Sequence, residues 1–298
     1  LGLNAVLRAS GHPKQAMYAT IATVAINTIL APIFIFMFDW GIRGAAIATV
    51  SAQVIALLWQ LKQFNNANEL LHFRRGIFRL KRKIVFDSLA IGMSPFLMNL
   101  AACLIVILIN QGLKKYGGDL AIGAFGIVNR LVFIVVMIVM GLNQGMQPIA
   151  GYNFGAKLYD RVNKVLKLTI IYATCVTTFG FLVGMLAPNL VVGIFTSDAE
   201  LTELSATGLR ITVMFFPIIG FQMVTSNFFQ SIGMAGKAIF LSLTRQMLIL
   251  LPCLLILPHF FGVAGVWYSM PVSDLLASLI ALVMLVYQFR KFKTAAAH

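Results

Sequence analysis

The chain of 298 residues is 60% hydrophobic and only 11% charged, whereas a soluble globular domain is usually about half apolar and about a quarter charged. This composition excludes an ordinary soluble domain and predicts a polytopic membrane protein. The formal net charge of +14 does not indicate a nucleic-acid partner, because the basic residues are spread over short loops between apolar segments, as orientation in a membrane requires.

In chain order, eight segments have the roughly 20 apolar residues that a membrane-spanning helix needs. They are Ala16–Phe38, Gly44–Leu61, Ile84–Ile109, Leu120–Gly141, Val165–Leu186, Leu204–Phe229, Ala238–Leu257 and Val263–Phe289. The expected fold class is therefore all-α integral membrane, with eight transmembrane helices in this chain. Residues 62–83 form the one long basic connection. Within it, Leu70–Ile84 has apolar and basic faces at helical spacing, which favours a short helix on the membrane surface over an ordinary cytoplasmic loop.

The basic residues are distributed unequally between the two sides of the predicted membrane. Loops on one side contain 18 of the 23, among them Lys157, Lys237 and Arg245, while loops on the other side contain most of the acids, such as Glu200. The positive-inside rule assigns the first side to the cytoplasm. We therefore expect a multi-pass protein of the cell (inner) membrane with a cytoplasmic C-terminus.

A helix–loop–helix pattern occurs twice in the chain. Gly41 to Gly44 corresponds to Gly262 to Gly265 at an offset of 221 residues, and Gly11 corresponds to Gly233 at an offset of 222. Six predicted spans separate the copies, so two lobes of the same orientation are expected. The predicted domains are residues 1–61 (the end of a first lobe), 62–83 (a cytoplasmic linker), 84–290 (a complete six-helix second lobe) and 291–298 (a tail). Twelve helices are expected in all, four of them before Leu1.

One acid lies deep within a predicted span. Asp274 is about 12 residues into Val263–Phe289, and Arg130 lies at a similar depth in Leu120–Gly141. Charges inside a membrane are costly and usually have a partner. Two interpretations remain open: Asp274 and Arg130 form a structural pair, which we narrowly favour, or Asp274 binds a proton or another cation.

Polar amides also occur at membrane depth. As a set they suit a wet transport path, although each alone could equally form a hydrogen bond between helices. The candidates for the substrate or ion path, with Arg130 and Asp274, are Asn99, Asn129, Asn143, Gln147, Gln222, Asn227 and Gln230. The four histidines are dispersed and no phosphate-binding loop is recognisable, so no enzyme activity, cofactor or metal site is expected.

Several of these motifs resemble one transporter family. Phe125–Arg130, Gly141–Pro148 and Gly151–Lys157 followed by Arg161 are similar to the eighth helix and the following loop of multidrug and toxic compound extrusion (MATE) transporters. Phe229–Gly233 resembles the motif after the tenth helix of that family. The resemblance implies a monomeric antiporter in the lipid bilayer that exports drugs or organic cations in exchange for protons or sodium, by alternating access.

The chain departs from this family in one respect. Some members carry coupling acids on helices 7 and 10, where this sequence has Asn99, Gln222 and Asn227; the other coupling acid of the family lies on its first helix. The alternatives are a lipid-linked oligosaccharide flippase of the same superfamily, for which Arg130 and Arg245 are few cations, and a non-transporting membrane scaffold.

Overall fold

The computed structural model describes residues 2–65 and 81–296, and these residues form helices joined by short turns, with no β-strand among them. The prediction of an all-α membrane protein is confirmed. The chain divides into two compact units, Leu1–Val85 and Phe86–His298. The predicted surface helix Leu70–Ile84 falls mostly outside the described residues.

The first unit is a helical hairpin preceded by one short helix. Its elements are α1 (Gly2–Ala9), α2 (Pro13–Pro32), a five-residue π-helical segment (Ile33–Met37) and α3 (Gly41–Phe64). Proline begins α2, where its missing N–H costs nothing because the first amides of a helix have no internal partner.

The second unit contains eight α-helices and one π-helical segment among the described residues. They are α4 (Arg82–Gly155), α5 (Tyr159–Leu186), α6 (Pro188–Val192), α7 (Ala199–Val213), α8 (Phe216–Ser231), α9 (Ala235–Leu243), the π segment (Thr244–Leu250), α10 (Leu251–Phe261) and α11 (Val263–Ala296).

Helix α4 is two helices joined at a glycine. Its 74 residues would extend about 110 Å if straight, several times the thickness of a bilayer core. Gly118 interrupts it with φ 68° and ψ −162°, a conformation that is readily available only to glycine. Ile105 before the break and Val128 after it belong to the same buried cluster, so the two halves lie side by side. The break falls in the loop predicted between Ile84–Ile109 and Leu120–Gly141.

Six of the described helices are long and apolar enough to cross a membrane when α4 is counted once, and a bent pair makes a seventh. That pair is α7 and α8, which are inclined by 55°. The bend precedes Pro217, which has no N–H to continue the helical hydrogen bonds. The predicted span Leu204–Phe229 is therefore bent, while the total of eight spans and the lobe boundaries stay predictions.

The glycines of the predicted repeat share a backbone conformation. Gly11 and Gly233 have φ values of 90° and 77°, and Gly41 and Gly262 have φ values of 52° and 57°. Residues other than glycine rarely adopt positive φ values. Glycine therefore forms the corresponding turn in both copies.

A second pair of glycines allows close contact within each hairpin. A Cβ atom on Gly44 would clash with the carbonyl oxygen of Phe34, and one on Gly265 would clash with that of Leu257. In each copy the second helix therefore packs directly against the backbone of the first. These shared contacts support the interpretation of the two segments as copies of one unit.

The core of the second unit consists of two buried clusters. One includes Phe125, Phe216 and Trp267, and the other includes Phe228 and Phe229. The first cluster contributes much of the wall of an internal cavity, which is the candidate site described next.

Candidate functional site

A cavity of about 350 Å³ lies among the helices of the second unit. Its wall is built by α4, α5, α7, α8, the π segment Thr244–Leu250 and α11. Most of the wall is apolar, and Phe125, Met223 and Met270 are among its larger side chains. Aromatic rings supply rigid surface, while methionine side chains adapt to differently shaped neighbours. The cavity can therefore accept an apolar body of small-molecule size.

Two charged side chains on this wall form an ion pair. Both Nε and Nη2 of Arg245 lie 2.7 Å from the same oxygen, Oδ1 of Asp274. The Asp274 side chain is only 5% exposed, whereas that of Arg245 is 31% exposed. The carboxylate is thus enclosed by protein, and the arginine side chain is the more accessible partner of the pair.

This pairing corrects two predictions made from the sequence. Asp274 was expected to pair with Arg130, but its partner is Arg245, and Arg130 has an exposed side chain on α4. Arg245 was assigned to a cytoplasmic loop, but it lies in the π segment within the apolar helical stretch Ala235–Phe261. Similar depth did not identify the partner, because two residues at one depth can lie on helix faces that point in different directions.

Some of the remaining polar groups on the wall have hydrogen-bond partners in the described part of the chain and others do not. The hydroxyl groups of Thr177, Thr212 and Ser273 donate to carbonyl oxygens of their own helices. Gln246 also lines the cavity, and its Oε1 is buried without a hydrogen-bond partner among the described residues. Gln246, which follows Arg245 in the sequence, therefore has unused hydrogen-bonding capacity.

Two of the predicted path residues line the cavity. Asn129 and Asp274 both contribute to its wall. Asn227 is half-buried and its Nδ2 donates to the carbonyl of Met223 at 2.9 Å, so one of its N–H groups is bonded within its own helix. Gln222 is buried at 4% exposure and does not line the wall.

The other predicted residues lie away from the cavity wall. Asn143 is buried at 2% exposure, and neither amide atom has a hydrogen-bond partner among the described residues. Gln147 and Gln230 are half-buried, and Asn99 is exposed on α4. Their roles in transport stay predictions.

Arg245 and Gln246 line the cavity but were not among the residues predicted for the substrate or ion path. One signal for them was present, since both fall inside the predicted span Ala238–Leu257. An arginine inside a span is a candidate for the partner of any acid at similar depth. The assignment of Arg245 to a cytoplasmic loop together with Lys237 hid its position inside this span.

Lys237, near the start of α9, makes a second polar contact. Lys237 donates from Nζ to Oε1 of Gln288, which is buried at 2% exposure, and its ammonium lies 5.3 Å from the centre of the Phe229 ring. Both contacts stabilise the ammonium where it meets the core. These two contacts hold the ammonium of Lys237, which does not line the cavity.

Comparison with curated proteins gives relatives of similar sequence. Multidrug export protein MepA of Staphylococcus aureus (strain NCTC 8325 / PS 47) is 29% identical over 287 residues, which is 95% of this chain and 62% of that protein. MepA of Staphylococcus haemolyticus (strain JCSC1435) has the same identity and coverage. The chain thus spans about three fifths of the length of these relatives.

Solved structures give the same picture of the fold. The MATE multidrug transporter DinF-BH, solved in complex with a ligand, superimposes with a TM-score of 0.87 at 35% identity, over 97% of this chain and 65% of that one. An outward-facing MATE family transporter of the MOP superfamily superimposes with a TM-score of 0.90 at 23% identity, over 98% of this chain and 66% of that one.

The family model MatE matches residues 90–255, more than half of the chain. The matched region includes Asn129, Arg245 and most of the cavity wall. Its helices, its cavity and this match agree with one another, and the chain belongs to the multidrug and toxic compound extrusion family, whose members are membrane transporters and not enzymes.

Proposed function

We propose that this protein exports drugs or other amphipathic small molecules across a cell membrane in exchange for protons or sodium ions, by alternating access between two lobes. Membership of the family supports transport. The names of relatives support drugs as the cargo, since MepA is a multidrug export protein and DinF-BH is a multidrug transporter. Because the chain spans 62% of MepA, the activity is proposed for the whole protein.

The cavity of the second unit is the observation that carries this proposal. Its volume of about 350 Å³ is within the range of small-molecule sites, which is roughly 300–1,000 Å³. Flexible methionines and aromatic rings around a few polar groups allow one site to accept apolar bodies of different shape. A multidrug exporter needs a site of this kind.

The contacts of Asp274 favour a structural role over direct coupling to the ion. Arg245 lies 2.7 Å from its Oδ1, so a proton or sodium ion that binds this carboxylate would lie close to a positive guanidinium. We therefore expect coupling to use another carboxylate of the whole protein. We further propose that the protein is a monomer in the inner membrane and that its C-terminus is cytoplasmic.

A lipid-linked oligosaccharide flippase is less well supported. A pyrophosphate group needs several cations, because it carries more than one negative charge. Among the described residues that line the cavity, Arg245 is the only cation, and it is paired with Asp274.

A variant that fills the cavity tests the proposal. Ala102 is on the cavity wall, and Ala102→Phe places a phenyl ring where the drug would bind. We expect efflux of rhodamine B, an amphipathic dye that carries both charges, from cells without other exporters to fall about tenfold or more, the scale of steric exclusion from a pocket. Ala46→Phe, on the exposed side of α3, is the matched control and should export at the unmodified rate. Normal efflux by normally abundant Ala102→Phe protein would contradict the assignment of this cavity.

A further inference from the structure

We propose that the cavity of the second unit selects amphipathic molecules that carry an anionic or zwitterionic head group, bound by Arg245, over molecules whose only charge is positive. This inference rests on the proposed function, because it names the substrate class of the same cavity. It differs from the organic cations that the sequence resemblance implies.

The accessibility of the ion pair is the first argument. Both residues line the cavity, and the side chain of Asp274 is 5% exposed whereas that of Arg245 is 31% exposed, so the arginine is the more accessible charge for a molecule in the cavity. Arg245 uses Nε and Nη2 on a single oxygen, and its Nη1 donates no hydrogen bond to any described residue. A carboxylate or similar acceptor on the ligand can complete the hydrogen bonding of this guanidinium.

The scarcity of negative charge on the wall is the second argument. Asp274 is the only acid among the described residues that line the cavity. A ligand whose only charge is positive would either face Arg245 directly or displace it from Asp274. Displacement would break the ion pair and its hydrogen bond of 2.7 Å from Nε to Oδ1, and it would leave two positive charges close together.

Gln246 supplies the third argument and refines the ligand. It follows Arg245 in the π segment, and its buried Oε1 lacks a hydrogen-bond partner among the described residues. A buried acceptor without a donor is costly. A turn of the Gln246 amide toward the cavity would present Oε1 to a ligand N–H or O–H close to the acidic group, while the apolar wall accepts the rest of the molecule. The inferred class is therefore an amphipathic acid or zwitterion with a donor near its anionic group.

Comparison of the two repeats indicates that the hairpin fold does not itself require this ion pair. At the offsets of 221 and 222 residues, Asp274 corresponds to Gln53 or Ala52, and Arg245 corresponds to Val24 or Thr23. None of these four side chains is charged, yet α2 and α3 form the same kind of hairpin with the same glycine turns. The charged pair thus occurs in the second copy and not at the corresponding positions of the first, and it lies where the second copy contributes to a cavity wall.

Three fluorescent molecules with one apolar body and different charges test the inference. Dansylglycine carries a carboxylate next to a sulfonamide N–H, dansylamide is neutral, and dansylaminoethyl-trimethylammonium is cationic. Binding to the purified protein in phosphatidylcholine nanodiscs is followed by dansyl fluorescence at about 0.15 M salt, which screens attraction to the net positive surface. We expect dansylglycine to bind about tenfold or more tightly than the ammonium analogue, the effect of one additional charge-assisted hydrogen bond.

Variants of the pair separate this inference from a merely structural role. Asp274→Asn frees the guanidinium and should strengthen dansylglycine binding several-fold, whereas the same substitution in a cation site would weaken binding of the ammonium analogue alone. The double variant Arg245→Gln with Asp274→Asn should bind all three molecules with similar affinity. Arg210→Gln, an exposed arginine of α7 outside the cavity wall, removes one positive charge and should retain the full preference.

The outcomes distinguish the failure of this inference from the failure of the proposed function. Equal binding of the three molecules by the unmodified protein, or preference for the ammonium analogue, would overturn the inferred polarity while leaving a drug-binding cavity in place. Binding of none of them by folded protein would overturn both. Loss of the carboxylate preference in Arg210→Gln would assign it to general surface charge and would also overturn the inference.

Discussion

Removal of either partner of the ion pair should destabilise the protein, and by different amounts. Breaking a buried pair typically costs about 3–5 kcal/mol, because the remaining charge is stranded. In Arg245→Gln the stranded group is Asp274, which is 5% exposed and therefore has little access to water. In Asp274→Asn the remaining charge is that of Arg245, which is 31% exposed and can turn into the cavity.

The expected magnitudes follow from that asymmetry. Arg245→Gln should cost about 3–5 kcal/mol, and Asp274→Asn should cost about 1.5–3 kcal/mol, the worth of a hydrogen bond to a charged group. The double variant should be more stable than the sum of the single effects predicts, by about 0.5–3 kcal/mol, because it leaves no unpaired charge.

The free energies can be measured by titrating the purified protein with sodium dodecyl sulfate in mixed micelles and following tryptophan fluorescence. Arg210→Gln, which removes an exposed arginine, is the control and should change the free energy of unfolding by less than about 0.5 kcal/mol. A larger loss in Asp274→Asn than in Arg245→Gln would refute the argument from exposure. Strict additivity in the double variant would refute the coupling itself.

Two further predictions concern packing and orientation. A Cβ atom on Gly208 would lie 2.7 Å from ring carbons of the buried Trp267, so Gly208→Ala should lower the free energy of unfolding by about 1–3 kcal/mol. Gly126→Ala, where a Cβ atom meets nothing within 4 Å, should be neutral or stabilising in the same titration, and equal losses in both would argue against the steric cause. Single cysteines replacing the exposed Lys157 and Glu200, in a background without native cysteines, should react with a membrane-impermeant maleimide from opposite sides of the membrane. Reaction from the same side would contradict the predicted arrangement of spans.

The parts of the fold that depend on composition and short-range pattern could be predicted from the sequence. Apolar runs predicted helices, and the break at Gly118 falls in a loop that the sequence predicted, because Lys114 to Asp119 interrupt the hydrophobic pattern. The turns at Gly41 and Gly262 could be predicted as a repeat, since glycine adopts their positive φ values more readily than other residues.

The partner of Asp274 could not be predicted in the same way. Depth along a helix follows from counting residues, but the direction in which a side chain points depends on helix rotation and on which helices are neighbours. Arg130 has the right depth and an exposed side chain on α4, whereas Arg245 reaches the carboxylate from the π segment. The cavity depends on the same tertiary information, so the sequence identified Asn129 and Asp274 of its wall and omitted Gln246.

The π segment explains why α-helical periodicity does not predict which residues of Thr244–Leu250 face the cavity. In an α-helix, residues five apart point about 140° away from each other, so Arg245 and Leu250 would not face the same side. In the segment Thr244–Leu250 the backbone bonds to the fifth residue instead, and the N–H that follows it, from Leu251, donates to the carbonyl of Gln246. Residues five apart then point in more similar directions than in an α-helix, and both Arg245 and Leu250 line the cavity. The irregular turn thus brings a charged and an apolar side chain to one wall, as the binding of an amphipathic molecule requires.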